Sequence, residues 1–400
     1  MKEIEGGLTA VPGIRAAAVR AGIKEQGKDL ALIVSVPPSE AAGLFTTNRV
    51  KAAPVKWSME RIAKNKISAI IANSGNANAC TGGKGFADVR TIVSQLSSHL
   101  KVPVDSVLMA STGIIGRPMP LEKVTSALPQ LVDSLSDQAD QNVVEAIMTT
   151  DTFPKAVAIE YICENRKIRI AGITKGAGMI QPNMATMLAF LVTDAPIYRD
   201  ELRSILEEAV EKSFNMITID GDTSTNDTVI CLANGLAKGE LIRRESVQGK
   251  CLAEALGHVC MKLAQMVVRD GEGATKFVEI RVNKAADRGE AKAIAKAIAN
   301  SLLVKTAFFG QDPNWGRILS AAGSCGVDFD PNVADLYLGE VRVFSQGLPE
   351  KGNWEEQAIQ VMRQEAFSVT LCLNSGNNDV SVWTCDLSHD YVRINAAYRT

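Results

Sequence analysis

The hydrophobic positions of this chain alternate between two periods. Short apolar runs at 30–36, 67–72 and 106–110 are bounded by turn residues and read as buried strands. Segments with the helical repeat separate them. Residues 88–99 set Val89, Ile92, Val93 and Leu96 on one face, and 121–137 and 140–148 follow the same rule. Residues 156–162 and 167–173 form a predicted hairpin, and the apolar run 187–193 starts a further buried element. Beyond it the pattern predicts helices over 199–214, 247–268, 290–301 and 354–363, with Asn314 capping a short one. Strands are predicted at 228–232, 277–282, 336–344, 367–373, 380–388 and 391–394, crowded toward the C-terminus. The expected fold class is α/β, with mixed sheets, helices and a substantial antiparallel part; at 400 residues, two lobes are expected.

Composition narrows the function classes. Apolar residues make up 46% and charged residues 22%, ordinary for a soluble globular protein. A formal net charge of −2 gives no reason to expect nucleic acid or an anionic membrane as partner, and 5% aromatics argues against a base-stacking platform. The eight cysteines are scattered without a CxxC pair, which fits buried, reduced thiols better than a disulfide framework or a zinc site. The opening MKEIEGGLTAVPG has acidic residues and no apolar core, so no signal peptide is read there. No apolar run approaches the roughly 20 residues of a membrane span. A cytoplasmic protein is expected.

Chemistry concentrates in KGAGMIQPNMATMLAF, residues 175–190. Gly176, Gly178, Pro182 and Asn183 read as a backbone bend, followed by the apolar run, with Thr186 at the junction. A hydroxyl at the entry to a buried element is where a chain places a nucleophile, or cuts itself to expose one. The plainer alternative is a cap or turn hydroxyl. Only three histidines exist, His99, His258 and His389, none beside a candidate nucleophile, which disfavours a Ser-His-Asp triad. An N-terminal threonine needs no histidine, because its own α-amine, with a pKa of about 8, serves as base. Elsewhere, Ser111–Gly116 is a strand end passing into a loop suited to offer an N–H and a hydroxyl. Lys175 is a cation for a carboxylate, and Glu272, between two glycines, is a carboxylate for an ammonium or an exposed turn acid.

Six blocks in order carry a wider resemblance: NSGNANACTG at 73–82, STGIIGRPMP at 111–120, MTTDTFPK at 148–155, the 175–190 segment, IDGDTSTNDT at 219–228 and the ending NAAYRT. Together they resemble the ornithine acetyltransferases, the bifunctional glutamate N-acetyltransferases of arginine biosynthesis, over essentially the whole chain. The resemblance implies an autoprocessed, N-terminal-nucleophile-type acyltransferase. It implies cleavage between Ala185 and Thr186, giving an alpha chain of 1–185 and a beta chain of 186–400. Thr186 is then the nucleophile, Thr112 and Gly113 form the oxyanion hole, and Thr149, Lys175, Thr186, Glu272, Asn395 and Thr400 bind substrate. The implied reaction moves acetyl from N2-acetyl-L-ornithine to L-glutamate, with no cofactor or metal. Some members also take acetyl-CoA as donor, and nothing in these motifs separates the two kinds. The partners implied are small amino acids and the protein's own alpha and beta chains, as a heterotetramer or larger.

Two motifs fail on their spacing. GGKG at 82–85 lacks the Walker pattern, and DGDTSTND at 220–227 has calcium-loop acids but no glycine at its sixth position and Cys231 at its twelfth. Trp315 and Arg317 take no role from the sequence. Two competing readings remain at this stage: a self-cleaving amidase or aminopeptidase, and an uncleaved small-molecule-binding protein.

Overall fold

In the computed structural model, which describes residues 1–181 and 187–397, the apolar runs pair into two mixed sheets. Each belongs to its own unit of the chain. The first unit comprises Met1–Asn215 with Asp222–Val267, and the second Met216–Gly221 with the described residues from Val268 onward. The flanks of the expected cut, 181 and 187, both lie in the first unit.

The first unit holds nine strands: β1 (Lys2–Glu3), β2 (Ile14–Val19), β3 (Leu30–Phe45), β4 (Ile67–Asn73), β5 (Val107–Ser111), β6 (Lys155–Cys163), β7 (Arg166–Lys175), β8 (Leu188–Thr193) and β9 (Thr228–Ala233). Their order is β1-β6-β7-β8-β9-β3-β4-β5, with β2 paired to β3. The pairs β4–β5 and β8–β9 are parallel and the others antiparallel. β3 runs well past its predicted end at 36. Its first half pairs with β2 and β4, its second half, Glu40–Phe45, pairs with β9, and the register breaks between Val34 and Ser39. Leu188–Thr193 is buried at every position, as a central strand covered on both faces requires.

Among the described residues, six α-helices begin in this unit: α1 (Ala53–Ile62), α2 (Gly82–Leu100), α3 (Leu121–Asp133), α4 (Asp140–Ile147), α5 (Arg199–Lys212) and α6 (Val247–Arg269). The predicted face of α2, Val89, Ile92, Val93 and Leu96, packs with Val124, Leu128 and Leu131 of α3 and with Trp57 of α1. The Trp57 indole N–H donates to the Val107 carbonyl at 3.0 Å, so the buried ring leaves no polar atom unpaired. α1 had no sequence expectation, and α2 starts six residues before the predicted 88. Gly85 lies in the first turn of α2, which the sequence alone presents as loop, and a Cβ there would collide with Thr81 and Asn78.

Cys163 at the end of β6 and Cys251 in α6 are joined as a disulfide, 88 residues apart. This corrects the reading of wholly reduced thiols; a pairing between a strand end and a distant helix leaves no mark in local spacing. α6 is long and apolar enough to cross a membrane by composition, yet half of its apolar window is buried, with Val259 and Leu263 fully enclosed.

The second unit holds β10 (Phe277–Ala285), β11 (Asp335–Leu338), β12 (Val341–Ser345), β13 (Leu348–Pro349), β14 (Ala366–Cys372) and β15 (Asn378–Cys385), ordered β13-β12-β11-β14-β10-β15. Helices α7 (Arg288–Asn300), α8 (Leu302–Gly310), α9 (Trp315–Gly323), α10 (Trp354–Met362) and α11 (His389–Ala397) accompany it. Ala291, Ile294, Ala295 and Ile298 of α7 pack on Val278, Ile280 and Val282 of β10. Asn314 caps α9 as expected, its side chain accepting from the Arg317 N–H. The predicted strand 336–344 is two strands, turned at Gly339 with φ of +57°. The predicted strand 391–394 lies inside α11 instead: Ser388 accepts from the Asp390 N–H at 3.2 Å and starts a helix.

Phe190 on β8 is fully buried in the core of the first sheet. Phe190→Ala is expected to cost about 3–5 kcal/mol of stability, read as a lower urea midpoint with an unchanged m-value.

Candidate active site

β5 delivers the chain to Thr112, whose N–H donates to the Asn73 carbonyl at 2.9 Å, while the Ser111 hydroxyl donates to Asn73 Oδ1 at 2.5 Å. Asn76 bridges to both Thr112 and Ile114, so the 73–82 and 111–116 loops run together. Gly113 sits between them with φ of +127°, and a Cβ there would lie 2.5 Å from the Gly75 carbonyl carbon and 2.6 Å from the Asn76 nitrogen. Only glycine fits that contact.

β7 ends at Lys175, which points at the same loop. Its ammonium donates to Thr149 Oγ1 at 2.8 Å and to Thr112 Oγ1 at 3.3 Å, and lies 3.9 Å from Asp151 Oδ2. The Asp151 side chain is fully enclosed. Its Oδ1 accepts from Lys155 Nζ and from the Gly176 N–H, both at 2.7 Å, and its Oδ2 accepts from the Thr149 N–H at 3.0 Å. Burial alone would raise its pKa. The Lys175 and Lys155 charges, with hydrogen bonds from Lys155 and Thr149, overcome that and hold the carboxyl at about 2.

A further cation, Lys24, donates to the Met148 carbonyl at 3.1 Å. Its stem crosses Gly75, where a Cβ would come within 2.8 Å of Lys24 Cγ. The buried Asp29 clamps the loop that carries it by accepting from the N–H groups of Ala21, Ile23 and Lys24. Burial lowers the Lys24 pKa, and the charges of Asp29 and Asp151 oppose that shift.

The structure therefore brings together Thr112, Gly113, Thr149 and Lys175 from three separated stretches. Thr152, three residues beyond Thr149, is exposed. In the second unit, Asn395 of α11 donates to Glu272 Oε2 at 2.7 Å, which joins two more of the expected substrate contacts. Glu272 is buried and not the exposed turn acid of the alternative reading. The turn holding it is fixed by the Ser388 hydroxyl donating to the Gly273 carbonyl at 2.6 Å. Ala185, Thr186 and Thr400 lie outside the described residues. Asp151, Lys155 and Lys24 are the site residues the sequence did not single out.

The ArgJ family model matches residues 15–400. The chain belongs to the ArgJ family. An ArgJ relative from Geobacter sulfurreducens, an arginine biosynthesis bifunctional protein, is 48% identical over 391 residues, spanning 98% of this chain and all of its own. The ArgJ protein of Caldanaerobacter subterraneus is 44% identical over 404 residues, and both chains are covered completely. A solved ornithine acetyltransferase from Mycobacterium tuberculosis, complexed with ornithine, is 36% identical and aligns with 47% of this chain and 99% of that one, at a TM-score of 0.44.

The Asp151 carboxyl sets an acid limit on this ArgJ chain. Its pKa is depressed from 3.8 to about 2 by folding, so its contribution is complete above the higher value and disappears as pH falls through the lower. Asp151→Asn, which breaks the pair with Lys155 and Lys175, is expected to cost roughly 3–5 kcal/mol at neutral pH. An acid titration followed by circular dichroism is expected to lose the part of the wild-type transition that belongs to this carboxyl.

Proposed function

We propose that this protein transfers acetyl from N2-acetyl-L-ornithine to L-glutamate through an ester on Thr186, after its chain is cut between Ala185 and Thr186. The observation that carries the reading is the contact of Lys175 with both Thr149 and Thr112, beside a Gly113 that only glycine can occupy. It puts a cation for an α-carboxylate next to the loop meant to receive the oxyanion. Full-length kinship with arginine biosynthesis bifunctional proteins supports the choice of substrates.

In the proposed cycle the Thr186 α-amine takes the hydroxyl proton and Oγ adds to the acetyl carbonyl. The Thr112 hydroxyl and the Gly113 N–H donate to the developing oxyanion; removing one such donor typically costs about 3 kcal/mol of barrier. The intermediate collapses, its C–N bond breaks, and ornithine leaves with the proton held by the α-amine. Glutamate then attacks the ester with its amine, its proton returns through the Thr186 amine to Oγ, and N-acetylglutamate departs. Lys175 pairs with the substrate carboxylate, Glu272 and Asn395 with a substrate ammonium, and Thr149 and Thr400 complete the contacts. Acetyl-CoA serves as a second donor by the same ester. The alpha and beta chains work in the cytoplasm as a heterotetramer or larger assembly, without cofactor or metal.

Intact-mass spectrometry of wild type beside Thr186→Ala tests the cut. Two wild-type species splitting at 185/186 and one uncut variant chain are expected; an intact wild-type chain sinks the proposal. Acetylornithine supplied without glutamate separates transfer from hydrolysis, because steady release of free acetate would identify an amidase. For Lys175→Met, loss of a charge-assisted contact worth roughly 1.5–3 kcal/mol predicts a fall in kcat/KM of about 10- to 150-fold, measured with acetylornithine and glutamate.

A further inference from the structure

The cycle above gives a substrate ammonium to Glu272 and a substrate carboxylate to Lys175. It leaves a second carboxylate, which glutamate has and acetylornithine lacks, without a partner. Lys24 is a cation that the cycle does not use.

Lys24 is held too firmly for a solvated surface lysine. The buried Asp29 accepts from the Lys24 N–H at 2.9 Å and from the N–H groups of Ala21 and Ile23 at 2.6 and 2.5 Å. Its stem presses on Gly75, where a Cβ would come within 2.8 Å of Lys24 Cγ. Gly75 also meets Gly113, whose added Cβ would lie 2.5 Å from the Gly75 carbonyl carbon. The lysine stem, Gly75 and Gly113 are therefore packed one on the next. Lys24 is carried beside the loop expected to receive the oxyanion.

Its ammonium ends at the Met148 carbonyl, 3.1 Å away, and the Lys175 ammonium donates to Thr149 Oγ1 at 2.8 Å. Met148 and Thr149 share one peptide bond, so the two ammonium groups lie within about 11 Å of each other. A dicarboxylate of glutamate's length reaches both when each carboxylate sits about 2.8 Å from its ammonium. The neighbouring acids are otherwise engaged. Asp29 accepts from three backbone N–H groups, and Asp151 accepts from Lys155 and two more. Asp29 and Asp151 act on Lys24 through space, and Lys175 repels it. Two like charges this close repel, and an anion between them relieves the repulsion.

We propose that Lys24 binds the side-chain carboxylate of the acceptor while Lys175 holds its α-carboxylate. The proposal rests on the transfer reading above and adds the residue that selects a dicarboxylate. Acetylornithine presents no second carboxylate, so the contact belongs to the acceptor half of the cycle.

The test lets glutamate and glutamine compete for the same acetyl-enzyme. Acetylornithine is the donor, and both N-acetyl products are counted by mass spectrometry. Glutamine has the same length and lacks the charge. A general loss of activity touches both products alike and cancels in their ratio. Wild type is expected to favour glutamate by about 10- to 150-fold, the strength of one charge-assisted contact. Lys24→Gln, which can still donate to the Met148 carbonyl, is expected to bring the ratio close to one, and Lys24→Arg to keep most of it. A wild-type ratio near one overturns the proposal while transfer stands. So does an unmoved ratio in Lys24→Gln, which is what a purely loop-anchoring lysine gives. Lys24→Met keeps the packing on Gly75 and gives the same reading should Lys24→Gln fail its thermal melt. A wild type that releases no ornithine from acetylornithine removes the transfer reading and this proposal together.

Discussion

The arrangement around the candidate site depends on one enclosed ion cluster, Asp151 with Lys155 and Lys175. A carboxylate without solvent survives only when it is hydrogen-bonded and paired, and here the Lys155 ammonium and two backbone N–H groups donate to it while the Lys175 ammonium lies 3.9 Å away. The cluster fixes more than charge. The Thr149 N–H and the Gly176 N–H both reach Asp151, so the anion ties the end of the 140–147 helix region to the end of β7. Lys175 is then left pointing at two threonine hydroxyls, and the loop bearing Gly113 has a cation beside it before any substrate arrives.

Asp151 and Asp227 show how one residue type is pushed in opposite directions by its surroundings. Both are buried. Two cations close to Asp151 hold its pKa at about 2 against the burial that raises it; around Asp227 burial prevails and pushes the pKa well above the ordinary carboxylate value.

Much of this was legible in the residues because local rules set it. The helix face of Val89, Ile92, Val93 and Leu96, the 156–173 hairpin and the Asn314 cap all follow from periodicity and side-chain reach. Thr112, Gly113, Thr149 and Lys175 were readable only through the family blocks, since their meeting depends on the sheet bringing β5 and β7 into place. What escaped notice is non-local. The Asp151 cluster joins two chain segments, 149–155 and 175–176, Lys24 needs Asp29 and Gly75, and the Cys163–Cys251 pair joins a strand to a helix 88 residues away. The 391–394 segment alternates like a strand but finds no strand beside it, and the Ser388 cap decides for helix.

The order of the first sheet has a consequence for the proposed cut between Ala185 and Thr186. Strands β8 and β9, which follow residue 186, are inserted between β7 and β3, which precede residue 185. A cut between those residues severs the covalent string but leaves each piece threaded through the other's hydrogen-bond ladder. Neither fragment carries the first sheet complete, although the second sheet lies wholly after residue 186, so the two halves translated separately would each leave first-sheet strand edges open. Under the proposed cut, the first sheet forms while the polypeptide is whole, and the scission would record that assembly has already happened.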